Sequence, residues 1–191
     1  MKVFVAVNNY GEVAKGKKPG WYFLSDSSVS NTGKPFYLPE DCGKVTVSLS
    51  GAIKISRLGK LVSPRFATRY FSEFAPALHF ILPELGEKLR MEGLPEDPSR
   101  NYDRSLFVGE YREYTPHSEI ELWKNGEKRG CFKFAHLILS PEEIISAISK
   151  MNTLKMGDIL LPGKSIETEI EIGDLLEVKI DGEKAFHVKV K

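Results

Sequence analysis

The chain has 191 residues, 41% of them hydrophobic and 28% charged, which is the balance of a folded globular protein and excludes a disordered or fibrous design. Its 27 basic and 26 acidic residues are spread along the sequence and leave a formal charge of +1, so no electrostatic footprint for nucleic acid or an anionic membrane is present. Cys42 and Cys131 lack the paired spacing of a disulfide scaffold or a zinc site, and no apolar run is long enough to cross a bilayer.

The opening Met1–Val7 segment alternates as a strand and is apolar too briefly for a signal peptide, so the expectation is a cytoplasmic protein with two reduced thiols. Trp21–Leu24, after the Pro19-Gly20 break, reads as a second strand. Val45–Ile55 is the longest β-like segment. Val45, Val47, Leu49, Gly51, Ile53 and Ile55 share one side, and Thr46, Ser48, Ser50, Ala52 and Lys54 form a small, polar second face. Ser63-Pro64 reads as a helix start, and a helix is expected from Pro64 into the Phe74 region, ended by Pro76.

A short helix is expected at Glu84–Met91, followed by an exposed loop over Glu92–Ser99, where two prolines and a glycine interrupt any period. Glu119–Phe134 alternates on both sides of Asn125-Gly126, the dipeptide of a type I′ hairpin. Ser140-Pro-Glu-Glu143 is a capping box, after which Ile144, Ile145, Ile148 and Met151 recur at helical spacing. From Lys155 to the end the chain is β-rich. Gly157-Asp158 and Gly173-Asp174 each introduce an apolar run, and Asp181-Gly182 marks the last hairpin. These pieces describe one mixed α+β, strand-dominated domain over residues 1–191 rather than a βαβ sheet.

The order of the motifs resembles the catalytic domain of the fumarylacetoacetate hydrolase family over almost the whole chain. The resemblance is carried by Asn9-Tyr10, Pro19-Gly-Trp-Tyr-Phe-Leu24, Arg100-Asn-Tyr-Asp103 with Val108-Gly109, the hairpin Leu122-Trp-Lys-Asn-Gly-Glu127, Leu139-Ser-Pro-Glu-Glu-Ile-Ile145 and Thr153-Leu-Lys-Met-Gly-Asp-Ile159. It implies a β-roll fold and a homodimer. It also implies a divalent ion, Mg²⁺ or Mn²⁺, held by carboxylates to polarise the keto-enolate of a 2-oxo acid or acylpyruvate that is hydrolysed, decarboxylated or isomerised.

Set against that pattern, the chemical residues differ. The family's catalytic histidine falls at Val13 and its partner acid at Gly16, and the lysine after the aromatic strand falls at Ser25. Neither valine nor glycine can shuttle a proton. The metal-binding Glu-x-Glu pair falls at Ser48 and Ser50 and the third carboxylate at His79, so three anionic ligands are replaced by two hydroxyls and an imidazole, and no metal cofactor is expected.

A later lysine of the family becomes Arg100, and its Thr-Gly-Thr-Pro substrate loop reads Pro162-Gly163-Lys164-Ser165, in which only Gly163 matches. Arg100, Gly163 and Lys164 are the candidate binding residues for a small carboxylate, against the alternative that the two cations are a solvated surface pair. His79 beside Ser48 and Ser50 suggests a serine nucleophile with its base or a single-histidine metal site, but no orienting acid is evident and the favoured reading is a histidine hydrogen-bonded inside the pocket. His136, in an apolar run, reads as a core or interface histidine.

The leading expectation is a divergent family member without the ancestral metal-dependent reaction, acting as a small-anion-binding or assembly protein. The competing expectation is an active hydrolase, decarboxylase or isomerase of 2-oxo acids whose acids come from positions outside these motifs. A third is a structural partner of an active paralogue.

Overall fold

The computed structural model describes residues 1–12 and 17–191, so the family positions assigned to Val13 and Gly16 lie outside the described residues. In chain order the strands are β1 (Val3–Val7), β2 (Gly20–Leu24), β3 (Val29–Asn31), β4 (Val45–Lys54), β5 (Glu73–Ile81), β6 (Leu106–Val108), β7 (Arg112–Glu113), β8 (Glu119–Lys124) and β9 (Glu127–Lys133). They continue with β10 (Ile159–Leu161), β11 (Glu167–Ile170), β12 (Leu175–Ile180) and β13 (Glu183–Lys189), and the α-helices are α1 (Pro64–Ala67), α2 (Pro83–Met91) and α3 (Pro141–Met151). The chain is therefore mixed α+β and dominated by strands. No helix among the described residues is long and apolar enough to cross a membrane.

The larger sheet runs β2-β1-β10-β4-β5-β6-β3, with β11 added beside β4 and β7 beside β5, and a smaller sheet runs β13-β12-β8-β9. Strands β2 and β3 lie at opposite ends of the larger path, yet only the tight turn Ser25–Ser28 separates them in sequence. The sheet must therefore curl until its ends approach, and it acquires a concave face.

The alternation along β4 distributes its side chains between two apolar clusters. Val45, Val47, Leu49 and Ile53 join Phe74, Leu78, Phe80, Phe132, Phe134 and the α3 isoleucines, whereas Ala52 joins Val3, Val5, Ala75, Ala77 and Leu161 on the other side. Gly51 is required where Phe134 closes over the strand, since a Cβ there would lie 2.3 Å from Phe134 Cζ. Ser48 and Ser50 stand on the second face, opposite His79 and Ala77 of β5.

One expected element is corrected. The helix beginning at Pro64 ends at Ala67, a single 3₁₀ turn follows, and Glu73–Ile81 is a central strand with Pro76 inside it. Phe74, Leu78 and Phe80 alternate with Ala75, Ala77 and His79 at the strand period, and both sets are buried. The proline is tolerated because of where its missing N–H falls. On that side β5 pairs with β6 at Ala77–His79 and with β7 at Glu73–Phe74, which leaves Pro76 at the break between them. Its carbonyl still accepts from Gly109 N at 2.8 Å.

Other expected elements form where local chemistry dictates them. Asn125 and Gly126 take φ of 52° and 84°, and Asp181 and Gly182 take 51° and 86°, as type I′ turns demand. In α3, Ser140 Oγ accepts from Glu143 N and Glu143 Oε2 accepts from Ser140 N at 2.8 Å, completing the capping box. Ile144, Ile145 and Ile148 are buried, while Met151, expected on the same face, is exposed at the helix end.

The two Gly-Asp turns repeat one construction. Asp158 Oδ2 accepts from Lys155 N at 2.9 Å and Asp174 Oδ2 accepts from Glu171 N at 2.8 Å. The second oxygens tie the turns to distant segments, Asp158 Oδ1 to Lys2 N and Asp174 Oδ1 to Asn125 Nδ2.

Candidate functional site

A cleft of ≈ 370 Å³ lies where the end of β1 and the Asn8–Glu12 turn face the segment joining β10 to β11. Asn8, Asn9, Tyr10 and Glu12 line one wall, Lys164 and Glu167 line the other, and the exposed Lys17 also lines the cleft.

Asn9 holds the walls together. Its buried amide donates to Leu139 O at 3.0 Å and Pro162 O at 2.7 Å, and its Oδ1 accepts from Leu139 N at 2.8 Å. Tyr10 stacks on Phe132 with centroids 4.8 Å apart, and its hydroxyl accepts from Lys133 N at 3.0 Å. Burial raises the Tyr10 pKa, so this phenol stays protonated.

Gly163 is the packing point between the walls. A Cβ there would lie 2.7 Å from Leu137 Cδ2, 3.2 Å from Tyr10 Cβ and 3.4 Å from Asn9 O. Its carbonyl accepts from Ser50 Oγ at 2.5 Å, and Ser165 N donates to Leu49 O at 2.9 Å. The residue between them, Lys164, is thus fixed to β4 on both sides. Its side chain is only 17% exposed and its Nζ lies 3.4 Å from Glu167 Oε1. Burial lowers the Lys164 pKa, and the nearby Glu167 carboxylate partly offsets this.

On the concave face of the sheet, His79 is fully buried. Its Nε2 lies 2.8 Å from Arg100 O, a carbonyl that only accepts, so Nε2 carries the proton and Nδ1 faces the Tyr22 hydroxyl at 3.4 Å. Burial first, then the Lys164 and Arg100 charges, push the His79 pKa down to about 3, and the imidazole is neutral at physiological pH. Burial also pushes the Tyr22 phenol well above its ordinary range. The Arg100 guanidinium lies over the Tyr22 ring, 4.8 Å from its centroid, and donates to Glu96 Oε2 at 2.8 Å. With 25% and 17% exposure, Arg100 and Lys164 do not form a solvated surface pair.

The serine-nucleophile reading is not met. Ser48 Oγ donates to His79 O at 3.4 Å, not to the imidazole, and Ser50 Oγ is engaged by Gly163 O. Ser25 belongs to a separate network, in which its amide N and Ser28 Oγ each donate to Asn101 Oδ1 at 2.8 Å. His136 is exposed at the end of a 3₁₀ turn, not buried in a core.

The donor set does not fit Mg²⁺ or Mn²⁺. Such ions require several oxygen ligands, mainly carboxylates. Here the two serine hydroxyls are engaged by backbone carbonyls, His79 presents a protonated Nε2 to another carbonyl, and Glu167 pairs with Lys164. No group of three or more His, Cys, Asp or Glu among the described residues is arranged to hold a metal.

Sequence reasoning missed Tyr22, Glu96 and Glu167. Period two in Trp21–Leu24 places Tyr22 on one face with Leu24, which is a usable signal for its orientation, and nothing local signals which residue it meets.

The chain belongs to the fumarylacetoacetate hydrolase family: the profile described as "Fumarylacetoacetate (FAA) hydrolase C-terminal" matches residues 3–191. Among its relatives, the mitochondrial oxaloacetate tautomerase of Mus musculus is 27% identical over 182 residues, covering 91% of this chain and 81% of that protein. The oxaloacetate tautomerase of Escherichia coli K12 is 23% identical over 194 residues, covering 95% and 89%. The fold matches that of a fumarylpyruvate hydrolase from Pseudomonas aeruginosa, solved with Mn²⁺ and pyruvate, with a TM-score of 0.90 at 22% identity over 100% of this chain and 89% of that one.

Proposed function

We propose that this chain binds small 2-oxo carboxylates in the cleft beneath the Asn8–Glu12 turn, and does so without a divalent metal ion. The observation that carries the reading is a partly buried ammonium in the cleft wall. Lys164 is held in the cleft wall with little exposure, within electrostatic reach of Arg100 and of a neutral, buried His79. Each cation has a carboxylate partner, Glu167 for Lys164 and Glu96 for Arg100, and a small carboxylate that displaces the half-exposed Glu167 gains a charge-assisted hydrogen bond from a partly desolvated ammonium. The relatives named as oxaloacetate tautomerases, and the neighbour solved with pyruvate, support small 2-oxo acids as the ligand class. Their names also favour an enzyme over an inert scaffold, and any reaction here would be carried by the chain's own cleft residues Lys164 and Glu167.

The test is a thermal-shift titration of chelator-treated protein with oxalate or pyruvate, each with and without Mn²⁺, since a ligand that binds only the native state raises the melting temperature. Saturable stabilisation by the carboxylate alone, unaltered by the metal and lost in Lys164→Ala, is the expected result. Stabilisation that requires Mn²⁺, or silence with every carboxylate, would refute the proposal.

A further inference from the structure

We propose that the Lys164 amine forms an imine with the ketone carbon of the 2-oxo acid in the cleft, which makes this a covalent, metal-independent carbonyl site. The inference rests on the reading of the cleft as a 2-oxo-acid site and deepens it.

Three observations meet at Nζ. The Lys164 side chain lines the ≈ 370 Å³ cleft, a space large enough for a small keto acid. The backbone on either side is tied to β4, through Gly163 O to Ser50 and through Ser165 N to Leu49 O, so the amine is presented from a fixed point. The Glu167 carboxylate at 3.4 Å is positioned to take the ammonium proton and return it.

Burial lowers the Lys164 pKa, with Glu167 opposing the shift and Arg100 adding to it, so the ammonium gives up its proton more readily than a solvated lysine does. Lys124 provides an internal contrast. Its side chain is also 17% exposed, but its Nζ is locked 2.9 Å from the Asp174 carboxylate in a Gly-Asp turn and does not line this cleft.

The chemistry balances without a redox partner. The nitrogen lone pair forms a C–N bond to the ketone carbon as the carbonyl π pair moves to oxygen. Proton transfer from nitrogen to oxygen gives a carbinolamine, which expels hydroxide that leaves as water with a proton from Glu167. Amine and ketone thus become imine and water. The protonated imine withdraws electrons from the adjacent carbon, whose proton passes to the Glu167 carboxylate left by the dehydration, giving an enamine, and returns from Glu167 in the reverse direction. That exchange is the elementary step of keto–enol tautomerisation.

The experiment incubates chelator-treated protein with pyruvate and sodium cyanoborohydride, which reduces an imine irreversibly to a secondary amine, and locates the adduct by peptide mass spectrometry. The expected result is a single adduct at Lys164, suppressed by excess oxalate, which has no ketone to condense, retained in Lys124→Arg and absent from folded Lys164→Arg. Exchange of the pyruvate methyl protons in D₂O, followed by NMR, should depend on Lys164 and not on added Mn²⁺.

Pyruvate binding by calorimetry without an adduct at Lys164 would overturn the imine and leave the cleft reading standing. Absence of both binding and adduct would overturn both, and equal labelling of many lysines would overturn the imine. Competition by oxalate reports on the native site even if Lys164→Arg fails to fold.

Discussion

His79 makes the stability of this fold sensitive to mild acid. The imidazole is fully buried, donates from Nε2 to Arg100 O, and has its pKa pushed down from 6.5 to about 3 by burial and by the Lys164 and Arg100 charges. The unfolded chain takes up a proton at this histidine as pH falls below 6.5, whereas the folded chain does not until pH nears 3. Its contribution is therefore fully present above 6.5 and is lost progressively between 6.5 and about 3.

At about pH 5 the protein is some 1.5 units into that window, which at about 1.4 kcal/mol per unit amounts to roughly 2 kcal/mol. The other strongly lowered acid does not confuse the interval. Glu119, held at about 2 by Lys133 and Lys128, loses its contribution only as pH falls below its ordinary 4.5. His117, His136 and His187 are exposed. Urea unfolding of the wild type and of His79→Gln at about pH 7 and about pH 5 measures the effect, with the wild type expected to lose roughly 2 kcal/mol more than the variant. Equal losses in the two proteins would refute a buried neutral histidine.

Asn9→Ala removes three hydrogen bonds and strands Leu139 N, Leu139 O and Pro162 O inside the fold. It should cost roughly 2–4 kcal/mol in urea unfolding and weaken pyruvate binding, and a loss below ~1 kcal/mol would mean that water or a shifted turn replaces these bonds. Restoring acids by Ser48→Glu, Ser50→Glu and His79→Asp should give measurable Mn²⁺ affinity in calorimetry only when Lys164→Thr is added, since the ammonium otherwise neutralises the new carboxylates. Equal affinity with Lys164 present would place that amine away from the acids, and no affinity in the folded four-residue variant would count against those positions as the metal site of the family.

How much was legible followed how local each instruction is. The Asn125-Gly126 hairpin is encoded by two residues that tolerate positive φ, and the start of α3 by a box of four residues. The Gly-Asp turns close within four residues through one carboxylate. The segment around Pro76 was misread because proline carries a strong local meaning, that of a helix terminator, while its acceptance in β5 depends on a break between two partner strands some thirty residues away. The small, polar face of β4 was visible in its alternation. That Ser50 would fasten the loop carrying Lys164, and not contact a ligand, was not visible.

The sequence by itself determined the period of each strand, the turns and the family pattern, and it placed Ser48 and Ser50 on the small, polar face of β4. The tertiary structure alone decided what those serines and His79 do. Tyr22 reaches His79 only because a sheet whose end strands are joined by one short turn must curl, which brings β2 across to β5. Lys164 faces inward only because Gly163 and Ser165 are tied to β4 more than a hundred residues earlier in the chain. Burial, and with it the loss of water that keeps His79 neutral and lowers the basicity of Lys164, is a property of that closed geometry and is not written into either residue.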